Sequence, residues 1–158
     1  MKKNYLILLS LLLLFFLIVG CSTKEEQFDD KNIIFSVINI QSEEEFKSYT
    51  IKLTNKTGFE LTHLMLNLSY PIKTSNGTKN NPFMVEGKAD NLTRPVNLKT
   101  EESIQFSIYA PVKEVFSDTD LLDFENPSIE LKGYVKEGNK EIPFKMAGGL
   151  KVFVKKYF

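Results

Sequence analysis

The chain has no tryptophan, one cysteine and one histidine in 158 residues. Each scarcity removes a class of explanation. With Cys21 alone, no intramolecular disulfide forms and no cysteine-based zinc site can be assembled, so the fold must rest on its apolar core. With His63 alone, any triad or imidazole acid–base pair has to use that one residue, and its only thiol partner would be Cys21. The missing Trp and Cys pair also removes the antibody-type signature. Arg94 is the sole arginine in a Lys+Arg total of 20, balanced by 20 acids. That balance offers no basic surface for nucleic acid and no polybasic patch for lipid headgroups. There is no Gly-x-Ser-x-Gly elbow, no phosphate loop and no His-Glu-x-x-His. The expectation is a protein that is not an enzyme and needs no cofactor.

What is present starts at the N-terminus. Met1-Lys2-Lys3-Asn4 is a short basic segment, and Tyr5 to Gly20 is apolar apart from Ser10. That run is short of the roughly 20 residues a bilayer-crossing helix needs, and has the layout of an export signal. It ends Ile18-Val19-Gly20-Cys21, which resembles the lipobox of bacterial lipoproteins. The resemblance implies that residues 1–20 are a signal peptide, with Ile18, Val19 and Gly20 read by the signal peptidase. It also implies that the Cys21 thiol takes a diacylglyceryl group and becomes the lipidated, typically palmitate-bearing, new N-terminus. The membrane is then a partner through that lipid. Two acyl chains hold a protein stably where one does not, at about 0.8 kcal/mol per buried methylene. The implied location is the outer face of the bacterial cytoplasmic membrane, or the outer membrane if the source has two.

Residues 21–32 carry the lipid-attachment Cys21 and then a polar stretch with one Phe, too poor in apolar residues to fold alone, and read as a linker. Residues 33–158 are expected to form one domain. There the apolar period becomes two: Tyr49, Ile51 and Leu53; Leu64, Leu66, Leu68 and Tyr70; Ile104, Phe106 and Ile108; Ile129, Leu131 and Val135; Phe144, Met146, Leu150, Val152 and Val154. Alternation of this kind predicts half-buried strands. Ile33 to Ile40 predicts an opening strand, and Phe83 to Val85 and Val96 to Leu98 two short ones. Asn76-Gly77 suits a type I′ hairpin, and Glu137-Gly138-Asn139 a reversal. Leu61 breaks the parity of its strand and predicts a bulge or an early start, and Gly148-Gly149 a bend or bulge. Apolar spacing over residues 112–125 predicts a short amphipathic helix, with Asp118, Asp120, Asp123 and Glu125 on its solvated face. The fold class is all-β: an immunoglobulin-like β-sandwich of about seven strands, after a signal helix and a polar linker.

Three stretches carry a second resemblance: Tyr49 to Gly58 ending Asn55-Lys56-Thr57-Gly58, Leu61-x-x-Leu64, and Leu98-Lys99-Thr100-Glu101-Glu102 followed by Phe106-x-Ile108. They are similar to the small immunoglobulin-like domains of bacterial lipoproteins, of the FxLYD or telokin-like kind. Thr100-Glu101 stands where those families have Pro-Gly. The resemblance implies a binding or assembly module, with an envelope protein as partner, and no reaction.

Candidate site residues follow from parity. Tyr109, Tyr134 and Phe153 fall opposite to the core set and would form an exposed aromatic partner surface if their strands are neighbours. His63 shares an outward parity with Met65 and reads first as an exposed strand residue. Its alternative is a copper or small-ligand carrier, with Met65 joined by Met84 or Met146, because extracytoplasmic copper carriers use imidazole and thioether ligands.

Overall fold

A computed structural model describes residues 27–91, 93–116 and 120–154. The signal peptide, the lipobox and Asp118 lie outside the described residues. Ten strands follow in chain order: β1 (Ile33–Ser42), β2 (Lys47–Asn55), β3 (Glu60–Ser69), β4 (Ile72–Thr74), β5 (Gly77–Lys79), β6 (Val85–Glu86), β7 (Lys88–Ala89), β8 (Ser103–Ala110), β9 (Ser128–Glu137) and β10 (Lys140–Gly149). One four-stranded sheet runs β1-β2-β8-β7 and the other β10-β9-β3-β6, all antiparallel, with β4 and β5 as a separate hairpin. With the eight sheet strands lettered A, B, C, C′, D, E, F and G along the chain, the sheets read A-B-E-D and G-F-C-C′. This is the immunoglobulin-like sandwich order. The chain passes from the second sheet to the first at Gly87, between β6 and β7.

The alternating residues meet between the sheets. Tyr49, Ile51, Leu53, Ile104, Phe106 and Ile108 of the first sheet are buried, as are Leu64, Leu66, Leu68, Ile129, Leu131 and Val135 of the second. Each such side chain removed from water contributes about 1.5–3 kcal/mol. The parity break at Leu61 is a bulge, as expected: the β3–β9 register shifts between Thr62 and Met65, and His63 has φ 53°. Leu61 and Leu64 both reach the core, and a Cβ on Gly133 opposite would lie 2.8 Å from Leu64 and 2.9 Å from the Thr62 carbonyl.

Several local expectations need correction. The helix over residues 112–125 is a five-residue π-turn, Val112–Phe116, and Leu122 further on makes a β-bridge to Ile72. Its aromatics serve a cluster instead: Phe116 and Phe124 pack edge-on against Tyr70, at 5.5 and 4.8 Å between centroids. The last strand ends at Gly149 without a register shift, and Leu150–Phe153 forms one helical turn. Leu150 and Val154 are buried while Val152 is 63% exposed. Spacing i, i+4 satisfies both a strand and a helix, so only position 152 distinguishes them. At the β4–β5 hairpin Thr74 pairs with Gly77, so the loop is Ser75-Asn76, one place earlier than expected. Positive φ falls on Gly77 alone, which rules out the I′ form. Finally, residues 28–32, expected to be linker, take part in the fold. Phe28 already packs on Phe144 at 5.5 Å and Phe59 at 6.3 Å, and Asp29 caps the turn Asp30–Asn32 by accepting from the Lys31 N–H.

Candidate binding surfaces

The residues of the second resemblance converge on one buried junction. Asn55, at the end of β2, is fully buried. Its Oδ1 accepts from the Thr57 N–H (3.0 Å) and hydroxyl (2.6 Å), an Asx turn, while its Nδ2 donates to the carbonyls of Phe59 (2.8 Å) and Leu98 (3.0 Å). Leu98 bridges to Leu61 of the opposite sheet, and the Asn55 backbone exchanges hydrogen bonds with Glu101 and Glu102. One amide thus ties the β2–β3 turn, the 98–102 reversal and the two sheets together. In that reversal the Glu102 N–H donates to Lys99 O, and Glu101 takes φ 67°. A residue with positive φ at the third turn position is where glycine is preferred. Glu101 also pairs with Lys56.

The three aromatics of the expected patch do not meet. Tyr109 stands on the outer face of the first sheet, 59% exposed and stacked 5.3 Å from Phe46. Tyr134 belongs to β9 in the second sheet, edge-on to His63 at 5.6 Å. Phe153 turns onto Phe35, 4.9 Å away. Parity assigns a face within one sheet and says nothing about which sheet a strand joins.

His63 is half-exposed on its bulge, with Nδ1 3.6 Å from Glu141 Oε1, and that carboxylate also accepts from the Thr62 hydroxyl at 2.8 Å. Met65 is exposed, but Met146 on β10 packs against the core and Met84 lines a different depression. The proposed thioether set is therefore not gathered around the imidazole. Among the described residues, no three His, Asp or Glu side chains converge as a metal-binding group. The acids around 120–125 shape a turn and not a helix face. Asp123 accepts from the Asn126 side chain at 2.9 Å, and Glu125 pairs with Lys47 at 3.1 Å.

Sequence reading missed a buried carboxylate. Glu130 lies on the outward parity of β9, yet Lys132 and Lys145 close over it at 2.5 and 2.6 Å, leaving it 6% exposed. Burial alone would raise its pKa, but hydrogen bonding and charge from the two lysines outweigh that and hold it below the ordinary glutamate value. Glu130 and Lys145 line a shallow depression of about 360 Å³ with Asn67, Asn81, Met84 and Ser128. Its only sequence signal was an acid flanked two residues on by lysine, which is common in exposed strands.

Most exposed apolar side chains fall into two groups, with Met65, Tyr109 and Tyr134 apart from them and Ile142 beside Phe28. At the end where β3 finishes are Phe83, Met84, Val115 and Leu121, with the Phe83 ring 5.2 Å from Phe116. Phe28 lies at the other end, beside Phe59 and the β9–β10 turn. The second group runs along the edge of the sandwich: Ile34, Ile38 and Ile40 of β1, and Val152.

No family model and no curated protein matches this chain. Among solved structures, beta-glucosidase 3B from Thermotoga neapolitana in complex with glucose aligns with 75% of this chain and 16% of its own, at 16% identity and TM-score 0.34. Its alpha-D-glucose complex aligns with 73% and 15%, at 14% identity and TM-score 0.33. The chain spans about a sixth of the length of these structures, and likeness at that level carries no inference about chemistry.

Proposed function

We propose that this chain is a lipid-anchored, non-catalytic binding or assembly module of the bacterial cell envelope, tethered through Cys21 and presenting its far end to an envelope protein. The observation that carries this reading is the placement of apolar exposure. Phe83, Met84, Val115 and Leu121 are exposed at the end of the sandwich opposite Phe28, against Ile142 beside Phe28, where the chain arrives from Cys21. A strand of ten residues separates the two ends, about 30 Å. Phe28 is packed on Phe144, so the seven residues from Cys21 to it span at most about 25 Å. A domain on so short a leash holds its Phe28 end toward the lipid and its apolar end away from it. Exposed apolar groups gathered at one place mark interaction surfaces more often than scattered ones do.

The test is cross-linking in cells through a photoreactive residue at position 83 or 115, with position 99 at the other end as control, followed by mass spectrometry. One envelope protein captured from 83 and 115, and lost with Cys21→Ala, supports the reading. Equal capture from position 99, or capture indifferent to the anchor, overturns it. The N-terminal peptide from the same sample should begin at Cys21 and carry the lipid mass.

A further inference from the structure

Polar side chains on the outer face of a sandwich sheet normally stay in water. Asn67 of β3 and Glu130 of β9 are exceptions, 8% and 6% exposed. They stand directly opposite each other in the β3–β9 register, with Glu86 beyond Asn67 on β6 and Ala147 beyond Glu130 on β10. Partners across a ladder share a face, so this row forms a floor on the outside of the second sheet. The next row along it sets Ser69 opposite Ser128.

Two walls stand over the floor. On one side the chain folds back over residues 80–84, fixed by Asn81, whose Nδ2 donates to the Tyr70 carbonyl (3.0 Å) and whose Oδ1 accepts from the Phe83 N–H (3.0 Å). On the other, Lys145 is held on Glu130 at 2.6 Å. Between them lies the depression of about 360 Å³, within the roughly 300–1,000 Å³ of small-ligand sites. Glu130 is paired with its two lysines, but Asn67 is not paired at all. Among the described residues its side-chain amide has no hydrogen-bond partner, and neither have the Ser69 and Ser128 hydroxyls or the Asn80 amide at the same depression. A side chain as buried as Asn67 is rarely left so, because the water it gave up has not been replaced.

The chemistry of the four groups selects a ligand class. Each can both donate and accept. Charge on this face is balanced, Lys132 and Lys145 against Glu130 and Glu86. An anion would call for donors alone and would meet Glu130, and a cation would call for acceptors alone and would meet Lys145. An extended peptide would need a free ladder, whereas β3 and β9 lie inside the sheet with neighbours on both sides. Hydroxyl groups donate and accept at once, as these side chains do. Pro82 and Met84 supply an apolar wall for the C–H face of a sugar ring.

We propose that this depression binds a neutral saccharide unit, with Asn67 as its central hydrogen-bonding residue and Ser69, Ser128 and Asn80 around it. Floor and wall are fixed beforehand, so binding orders little that was free. The proposal goes beyond the protein-docking reading and does not rest on it: the Phe83 end can hold a protein whether or not a sugar binds here.

The experiment titrates the full lipidated chain, in micelles of a detergent without sugar headgroups, with cellotetraose and with chitotetraose. Binding is read by calorimetry and by the side-chain amide signals of Asn67 in nitrogen–proton spectra. At least one of the two sugars is expected to bind, to shift those signals, and to keep its affinity at high salt because it is uncharged. Asn67→Ala should weaken binding about tenfold, the worth of one or two neutral hydrogen bonds, and should leave stability to urea undiminished because the amide has no partner in the protein. Ala147→Leu, which fills the depression from an exposed position on β10, should weaken binding as much. Ser107→Ala, on the outer face of the other sheet, should not weaken it. No binding of either sugar at about 10 mM would overturn the proposal, as would binding that survives both Asn67→Ala and Ala147→Leu. Tighter binding of tetragalacturonate or of a tetra-alanine peptide would also overturn it, assigning the depression to an anion or a peptide.

Discussion

Replacing Asn55 with alanine isolates one interaction on which both sheets depend. The side chain makes four hydrogen bonds in a fully buried position. Not all are lost without substitute. Leu98 O still accepts from Leu61 N–H, and Phe59 O still accepts from the Thr57 hydroxyl. The Thr57 N–H keeps no such alternative, and Thr57 is 2% exposed. Two net hydrogen bonds at about 1 kcal/mol each and one orphaned buried donor at about 1–3 kcal/mol give a loss of about 3–5 kcal/mol. Domains of this size are stable by roughly 5–15 kcal/mol, so Asn55→Ala should fold but melt about 10–20 °C lower. Asn55→Asp is the sharper variant. It preserves the acceptor for Thr57 but sets a carboxylate oxygen against the Phe59 and Leu98 carbonyls. Burial and those carbonyls would raise its folded-state pKa above the unfolded value of about 3.9, so its deficit against wild type is smallest below pH 4 and grows as pH rises. The assay is urea unfolding followed by circular dichroism, on a chain beginning at residue 22, at pH 4 and pH 7. A loss under about 1 kcal/mol for Asn55→Ala, or an Asp variant no worse than Ala at pH 7, would refute the reasoning.

Glu101→Gly should stabilise the chain by up to about 1 kcal/mol in the same assay, because positive φ costs a non-glycine residue about 1–2 kcal/mol and the exposed pair with Lys56 returns little. Gly133→Ala should destabilise by about 1–3 kcal/mol, since the added methyl meets the Thr62 carbonyl at 2.9 Å, a backbone atom that a rotamer change cannot move. Glu130, held below its ordinary pKa, contributes stability that is complete above the unfolded value of about 4.3 and is lost as pH falls through the folded value. Acid titration of Glu130→Gln should therefore show a shallower loss below pH 4 than wild type, and a lower plateau at pH 7 where Lys132 and Lys145 face each other unbalanced. Tyr49 and Tyr70, buried with hydroxyls 3.4 Å apart, both have raised pKa values, so stability should begin to fall as pH passes the unfolded tyrosine value of about 10. Difference absorbance should show these two phenols ionising only with unfolding.

The period-two residues were legible without coordinates because a strand sends alternate side chains to opposite faces whatever it pairs with. That local rule placed Tyr49, Ile51 and Leu53 in the core, and the broken parity at Leu61 announced the β3 bulge. The Asn55-x-x-Gly58 string entered only through the resemblance, and the structure shows what it does: Asn55 closes an Asx turn on Thr57. Where two local rules agreed, sequence left the matter open: Leu150 and Val154 fit strand and helix alike, and packing against the sandwich chose the helix. What only the tertiary structure decided was which strands became neighbours. Sheet order put Tyr109 and Tyr134 in different sheets, joined Asn55 to Leu98 across 43 residues, and closed Lys132 and Lys145 over Glu130. Among the described residues it also left β1 at an edge, with its core-facing Ile40 41% exposed. Pairing between strands distant in sequence depends on how the whole apolar surface is buried at once, which no window of the sequence contains.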